Sequence, residues 1–320
     1  MSGSATPYAG LSPDLVLDAI AATGSMPDGR LLALGSYENR VYQVGVEDGP
    51  ALVVKFYRPG RWSDAAIDEE HAFALELAEA ELPIVAPIAI GGRTLLRHAG
   101  FRYAIYPRRG GRAPELESPD HLAWMGRLLA RIHGIGAREK FRQRGTVDTK
   151  TFVREPARAV LASSLLPPRN ADAYRTRTDA IAAAIDARFA EIEPIARLRL
   201  HGDCHAGNVL WTDSGPHFVD LDDARTGPAV QDLWMLAPSP RALDALLEGY
   251  AEFRDFDPRE LSLIEPLRIM RQVHWAGWVA ARWDDPAFPR AFPQVGEARW
   301  WEQHLADLAE AESRLTESDD

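Results

Sequence analysis

The sequence predicts an α+β chain of two lobes: a small antiparallel sheet with one main helix, then a larger, mostly helical part. Three observations carry this. The 320 residues exceed the length at which a single hydrophobic core stops growing. Runs rich in β-branched and aromatic residues fall before Pro107, apart from a brief group between residues 198 and 219. From Ser118 onward apolar residues recur mainly at three- and four-residue spacing.

The elements follow in order. Ser12-Pro13-Asp14 supplies a helix cap and a proline for the first turn, Leu15, Val16, Ala19 and Ile20 an apolar face, and Gly24 a stop. Val41–Val46 and Leu52–Tyr57 read as a hairpin around the turn residues Glu47-Asp48-Gly49-Pro50. Residues 63–80 read as a helix with Ile67, Glu70, Phe73, Ala74 and Leu77 on one face. Strand patterns return at 94–97 and 101–106. A helix starts at Ser118-Pro119-Asp120 and carries Leu122, Met125, Leu128, Leu129 and Ile132, and another covers 171–191 before Pro194. Short strands are predicted at 198–200, 209–211 and 217–219, then helices over 241–253, 258–283 and 297–315. Five of the nine tryptophans (Trp275, Trp278, Trp283, Trp300, Trp301) lie in the last segments, where a stripe of aromatics predicts helix-packing core rather than a ligand box. The break between lobes falls near residue 108, dividing 1–108 from 109–320.

Composition excludes several functions. With 36 Lys+Arg against 47 Asp+Glu, the net charge of -11 argues against general nucleic-acid binding and against a polybasic membrane surface. No run approaches the length of a membrane span. The first fifteen residues have no basic residue and no apolar stretch, so no signal peptide is visible. The single Cys204 cannot form an internal disulfide, which fits a reducing compartment. A soluble, cytoplasmic monomer is expected. Only three lysines occur, Lys55, Lys140 and Lys150, so each invites inspection.

The chemistry concentrates in His201-Gly202-Asp203-Cys204-His205-Ala206-Gly207-Asn208 and in Phe218-Val219-Asp220. Asp203 can orient a hydroxyl and take its proton. Asn208 and Asp220 offer hard oxygen ligands suited to Mg²⁺. One base-like carboxylate beside a carboxylate and an amide is what phosphoryl transfer needs. The spacing from Asp203 to Asn208 matches the H-R-D-x-x-x-x-N loop of protein kinases, with Gly202 in place of the arginine. Lys55 lies mid-strand in Val-Val-Lys-Phe, where a kinase holds the α- and β-phosphates. Between apolar neighbours that ammonium requires a carboxylate, and the helix that follows offers Glu70 on its apolar face, with Glu69 as the fallback.

With these residues the chain resembles the aminoglycoside phosphotransferase-like branch of the protein-kinase fold, in which His-Gly-Asp replaces His-Arg-Asp. Within that branch it is most similar to bacterial serine/threonine kinases of stress response. The resembling stretches are Ser36–Tyr42, Val53–Pro59, Leu200–Trp211, Val219–Arg225, Gly227–Met235 and Ile264–Arg268, with weaker similarity across 135–195. The resemblance implies a bilobal protein-kinase-like fold using ATP and Mg²⁺. Asp203 would be the catalytic Asp, Asn208 and Asp220 the metal ligands with Asp220 also acting in catalysis, and Lys55 with Glu70 the phosphate-positioning pair. The nucleotide base would lie near Tyr106-Pro107-Arg108, and Asp232 would buttress the catalytic loop. The implied acceptor is a Ser/Thr hydroxyl of protein, autophosphorylation included. Two departures stand out. The phosphate-covering loop Leu34–Asn39 has one glycine, which makes Ser36 and Asn39 candidates to replace backbone contacts, and Asp220 is followed by Leu221-Asp222 rather than Phe-Gly.

Other readings compete. A small-molecule kinase acting on an aminoglycoside, choline or a sugar would use the same machinery. A pseudokinase would not need to keep Lys55, Asp203, Asn208 and Asp220. Zinc at His201, Cys204 and His205 would crowd its ligands on one loop and lacks a completing motif.

Overall fold

In the computed structural model, which describes residues 7–317, helix α1 (Pro13–Ala21) starts where Ser12 Oγ accepts the Leu15 N–H at 3.2 Å. Residues 1–6, part of the stretch read as lacking a signal peptide, lie outside the described residues. Five antiparallel strands follow: β1 (Pro27–Leu34), β2 (Arg40–Val46), β3 (Leu52–Phe56), β4 (Leu96–His98) and β5 (Phe101–Pro107), ordered β1-β2-β3-β5-β4. β3 is central, and Lys55 pairs with Val41 on one side and Ala104 on the other. Strand alternation then decides the layers. Val54 and Phe56 join Val44, Tyr103 and Ile105 under α1, while Lys55 and Tyr57 face away from α1. β1 is a strand that the sequence did not predict. It is an edge strand opening on Pro-Asp-Gly, with Leu32 57% exposed, so it shows no buried alternation.

Helix α2 (Asp64–Glu79) is capped by Ser63 Oγ on the Ala66 N–H at 3.1 Å. Its outer face roots in the large lobe. Phe73, Ala74 and Leu77 share a core with residues of α3 (Pro119–Gly136), reached after β5. Beyond it come α4 (Glu155–Ala162), with Pro156 in the first turn, and α5 (Ala171–Glu191). Two short ribbons follow, β6 (Leu198–Leu200) with β9 (Arg225–Gly227) and β7 (Val209–Thr212) with β8 (Gly215–Phe218). The chain ends in α6 (Val230–Leu233), α7 (Pro240–Ala251), α8 (Ile264–Ala280), α9 (Ala287–Ala291) and α10 (Ala298–Glu317). The single helix read over 258–283 is instead a 3₁₀ turn, Pro258–Leu263, followed by α8, with Pro266 in the first turn where proline costs no hydrogen bond. A second core joins Tyr174, Ile181 and Ile185 of α5 to Met270, Val273 and Trp301. Among the described residues no helix is long and apolar enough to cross a membrane.

Backbone bonds join the lobes: the Val85 N–H donates to Phe218 O at 2.9 Å and the Phe218 N–H to Pro83 O at 2.8 Å, while within the large lobe Arg112 and Trp211 exchange N–H···O bonds of 3.0 and 2.7 Å.

α3 and α7 approach closely because glycine lines their contact. A Cβ on Gly126 would lie 2.0 Å from Leu246 O, and one on Gly249 2.0 Å from Ala123 O, whereas Gly134 faces open space. Gly126→Ala should therefore destabilise the fold by about 1–3 kcal/mol through overpacking. Gly134→Ala should be neutral or gain up to ~1 kcal/mol in helix propensity. Urea unfolding of the two variants checks this, and equal midpoints would contradict the close approach.

Candidate active site

The lobes meet at a cleft of about 590 Å³ whose walls include Ser36, Asn39, Asp203, Asn208, Asp220 and Asp222. Five of the sequence-selected residues thus converge in space: Ser36, Asn39, Asp203, Asn208 and Asp220.

Lys55 reaches the same place from β3. Its Nζ stands 2.8 Å from Asp220 Oδ1 and 3.0 Å from Asp222 Oδ1, and 5.2 Å above the Tyr57 ring. Burial alone would lower its pKa, but the two carboxylates hold it well above the ordinary lysine value. The expected pair with Glu70 does not form. Glu70 is buried on α2 and its Oε2 has no hydrogen-bond partner. Burial pushes its carboxyl up to about 7, against the lowering pull of Lys55. Asp222, brought in by the loop after β8, takes its place. Glu69, the fallback, is also elsewhere: its carboxylate accepts the N–H groups of Arg142, Gln143 and Arg144 at 2.6, 2.8 and 3.0 Å.

Asp222 was not singled out by sequence, although it lies two residues after Asp220. Burial opposes its charge, yet Lys55 and Arg61 hold its carboxyl far below the usual range. Its side chain also accepts from Asn39 Nδ2 at 3.2 Å, and its backbone carbonyl accepts from the buried Arg144. Arg61 bridges Asp222 and Asp223, the latter at 2.7 Å.

The loop Leu34–Asn39, expected to cover phosphate, has one glycine and is fixed by side chains. Asn39 Oδ1 accepts the Arg58 N–H at 3.1 Å. Glu38 is ion-paired with Arg58 at 3.0 Å and Arg282 at 2.8 Å, and accepts a hydrogen bond from Trp278 of α8. A flexible backbone is replaced by polar anchors spanning both lobes. In the tryptophan stripe, Trp301 is core as predicted, but Trp275 and Trp278 line the cleft.

The loop that carries Asp203 rests on Asp232 of α6, which is fully buried. Its carboxylate accepts the His201 and Gly202 N–H groups, both at 2.8 Å, and Gln231 Nε2 donates to Gly202 O at 3.0 Å. Gly202 is required here: its φ is +84°, and a Cβ would sit 2.0 Å from Asp223 O. His201 Nε2 donates to Val219 O at 2.9 Å, and burial raises the pKa of the Cys204 thiol, so each has a structural place in the loop.

Asp203 is held from both sides. Its Oδ1 lies 2.5 Å from Arg271 Nη1 of α8, and its Oδ2 3.4 Å from His205 Nε2. His205 Nδ1 accepts the Gly207 N–H at 3.0 Å, which leaves the ring proton on Nε2 facing the carboxylate. Burial would raise Asp203, but His205 and Arg271 hold it below the ordinary carboxylate value. Asn208 Nδ2 donates to Asp203 O at 2.9 Å, so its Oδ1 remains an acceptor beside the half-exposed Asp220. Asp220 adopts φ 60°, ψ 67°, a left-handed conformation rare for a residue with a side chain and a mark of functional sites.

Tyr106 and Arg108 stand apart from this group. The Tyr106 hydroxyl turns inward to Tyr57 at 3.0 Å and His71 at 3.4 Å, and Arg108 Nε donates to Gln43 at 3.3 Å on the outside. Neither side chain lines the cleft.

A small sheet lobe and a helical lobe closing on a lysine, paired carboxylates and an amide define a phosphoryl-transfer enzyme. The chain is a kinase that belongs to the phosphotransferase enzyme family, whose model matches residues 30–264. It is 45% identical to stress response kinase A of Escherichia coli over 99% of this chain and 97% of that protein. Serine/threonine protein kinase RdoA of Salmonella typhimurium is 44% identical over the same shares. A solved amicoumacin kinase in complex with AMP-PNP, Ca²⁺ and Ami shares the fold, with TM-score 0.70 and 16% identity over 96% of this chain and 93% of that one.

Glu70, whose buried Oε2 accepts no hydrogen bond and has His71 Nε2 3.7 Å away, generates a pH test. A folded pKa of about 7 against an unfolded value near 4.5 means that the native state holds a proton the unfolded chain has lost. Wild-type stability should therefore fall as pH rises through that window. Glu70→Gln removes this titration, so its unfolding free energy should gain on wild type between about pH 5 and pH 8. Parallel urea-unfolding profiles would contradict the assignment.

Proposed function

We propose that this kinase transfers the γ-phosphoryl group of ATP, with Mg²⁺, to Ser or Thr hydroxyls of protein. The observation that carries the chemistry is the convergence of Asp203, Asn208 and Asp220 on one cleft, with Lys55 ion-paired to Asp220 behind its wall. Protein as acceptor draws on similarity along the whole chain to a relative named a serine/threonine protein kinase, whereas the amicoumacin kinase shares the fold at 16% identity.

In this scheme the acceptor hydroxyl bonds to Asp203. Its oxygen attacks the γ-phosphorus, its proton passes to the Asp203 carboxylate, and the bond from γ-phosphorus to the bridging oxygen breaks to release ADP. His205 keeps Asp203 oriented through its Nε2 proton. Lys55 has two carboxylate partners of different character: Asp222 is buried and held by Arg61 and Asn39, whereas the Asp220 side chain is 49% exposed. Asp222 thus remains the fixed partner while Asp220 is the one exchanged for a phosphate oxygen. Asn208 Oδ1 and Asp220 are the hard donors that would hold Mg²⁺, whose charge would offset that of the phosphates. Ser36 and Asn39 cover the phosphates, with only Ser36 left for direct contact. The chain from 108 to 118 would act as the hinge between a lobe of residues 1–108 and one of 109–320, and would take the base through its backbone.

Asp203→Asn keeps shape and removes the base. It should lower phosphoryl transfer by roughly 10²–10⁴ while leaving folding intact. Incubation with labelled ATP and Mg²⁺, followed by phosphoamino-acid analysis of the protein acceptor, checks this. Undiminished labelling of Ser or Thr in the variant would remove Asp203 from its role. Labelling confined to an aminoglycoside or choline would favour the small-molecule alternative.

A further inference from the structure

Asp203, the group an acceptor hydroxyl must reach, already has a cation on the oxygen nearest α8. Arg271 Nη1 sits 2.5 Å from Asp203 Oδ1, and its side chain is 45% exposed, so it is free to swing away on a solvent-facing stem. When the hydroxyl takes that oxygen, Arg271 loses its counter-charge. What replaces it depends on the remaining charges of the cleft wall. Asp222 and Asp223 are held by Arg61, and Glu38 by Arg58 and Arg282. Asp220 is held by Lys55 and is assigned above to metal. The other titratable group that α8 gives to the cleft is His274, which burial keeps neutral with a pKa down to about 4. Among the described residues no carboxylate there is left over for a cationic acceptor, and one cation is released by any acceptor.

We propose that Arg271 is the specificity-determining residue of the acceptor site: it exchanges Asp203 for an acidic side chain flanking the acceptor Ser or Thr, and it rejects acceptors with a cation at that position. This rests on the protein-kinase function proposed above. The exchange keeps one ion pair on each side, whereas a lysine or polyamine acceptor would bring a second cation against an unpaired guanidinium in a partly desolvated cleft. Like-charge juxtaposition of this kind is an efficient means of rejection.

The test uses matched Ser peptides differing only in Glu, Ala or Lys flanking the acceptor, phosphorylated by the full-length protein with ATP and Mg²⁺. Wild type should rank Glu above Ala above Lys in kcat/KM, with roughly tenfold or more between Glu and Lys, expressed mainly in the peptide KM. Arg271→Glu should invert the order, Arg271→Gln should flatten it and Arg271→Lys should retain it. If Arg271→Glu does not fold, the Gln and Lys variants decide. Equal use of the three peptides by wild type, an order that persists in Arg271→Gln, or a change confined to the KM for ATP would overturn the proposal while leaving the protein-kinase function standing. If wild type labels no peptide but does label an aminoglycoside or choline, the protein-kinase function fails and this proposal fails with it.

Discussion

An ammonium group in the middle of an interior strand cannot be left alone. Lys55 is 5% exposed, walled by β2 and β5, and a buried unpaired charge costs several kcal/mol. Its carboxylate partners come from a loop 165 residues further along the chain. Satisfying this lysine therefore closes the small lobe on the large one, and it brings Asp220 to the mouth of the cleft in the same act. The ion pair is both a folding constraint and, in the mechanism proposed, the geometry the chemistry uses.

The surroundings are built to keep that geometry from drifting. α2 does not hang from the small sheet alone. Phe73 and Leu77 are core residues of the large lobe, Glu76 meets Arg199 of β6 at 2.8 Å, and Glu69 caps the loop at 142–144. A helix anchored in this way is not poised to swing, which fits a site where Glu70 is not the lysine's partner. The phosphate-covering loop is likewise tied down, through Glu38 to Trp278 and Arg282, and the catalytic loop is hung from Asp232 by two backbone N–H groups. Two buried acids, Glu38 and Asp232, thus fix the two loops of the site.

Much of this was legible in the sequence, for identifiable reasons. Asp203, Asn208 and Lys55 could be read because local spacing and strand context constrain them, and the helices because their apolar period is unambiguous. What escaped depends on distance in space. Choosing between Glu70 and Asp222 requires knowing which loop reaches β3, and both are acids beside apolar residues in the sequence. Arg271 looks like any helix-surface arginine until α8 is laid against the catalytic loop. The resemblance placed the base near Tyr106; the residue shares the sheet face of Lys55, but its hydroxyl is taken up by Tyr57 and His71, a pairing that no local spacing announces. β1 was missed because an edge strand with an exposed face carries no alternation to detect.

The central claim is that Lys55 and Asp222 act as one unit that presents the ammonium to nucleotide. A double-mutant cycle of Lys55→Met and Asp222→Asn, read as the dissociation constant for ATP with Mg²⁺, tests it most directly. Each single change leaves the other residue a partner, Asp220 for Lys55 and Arg61 for Asp222. Coupling of about 1–3 kcal/mol is the predicted result, and losses that add to within ~0.5 kcal/mol would contradict the account.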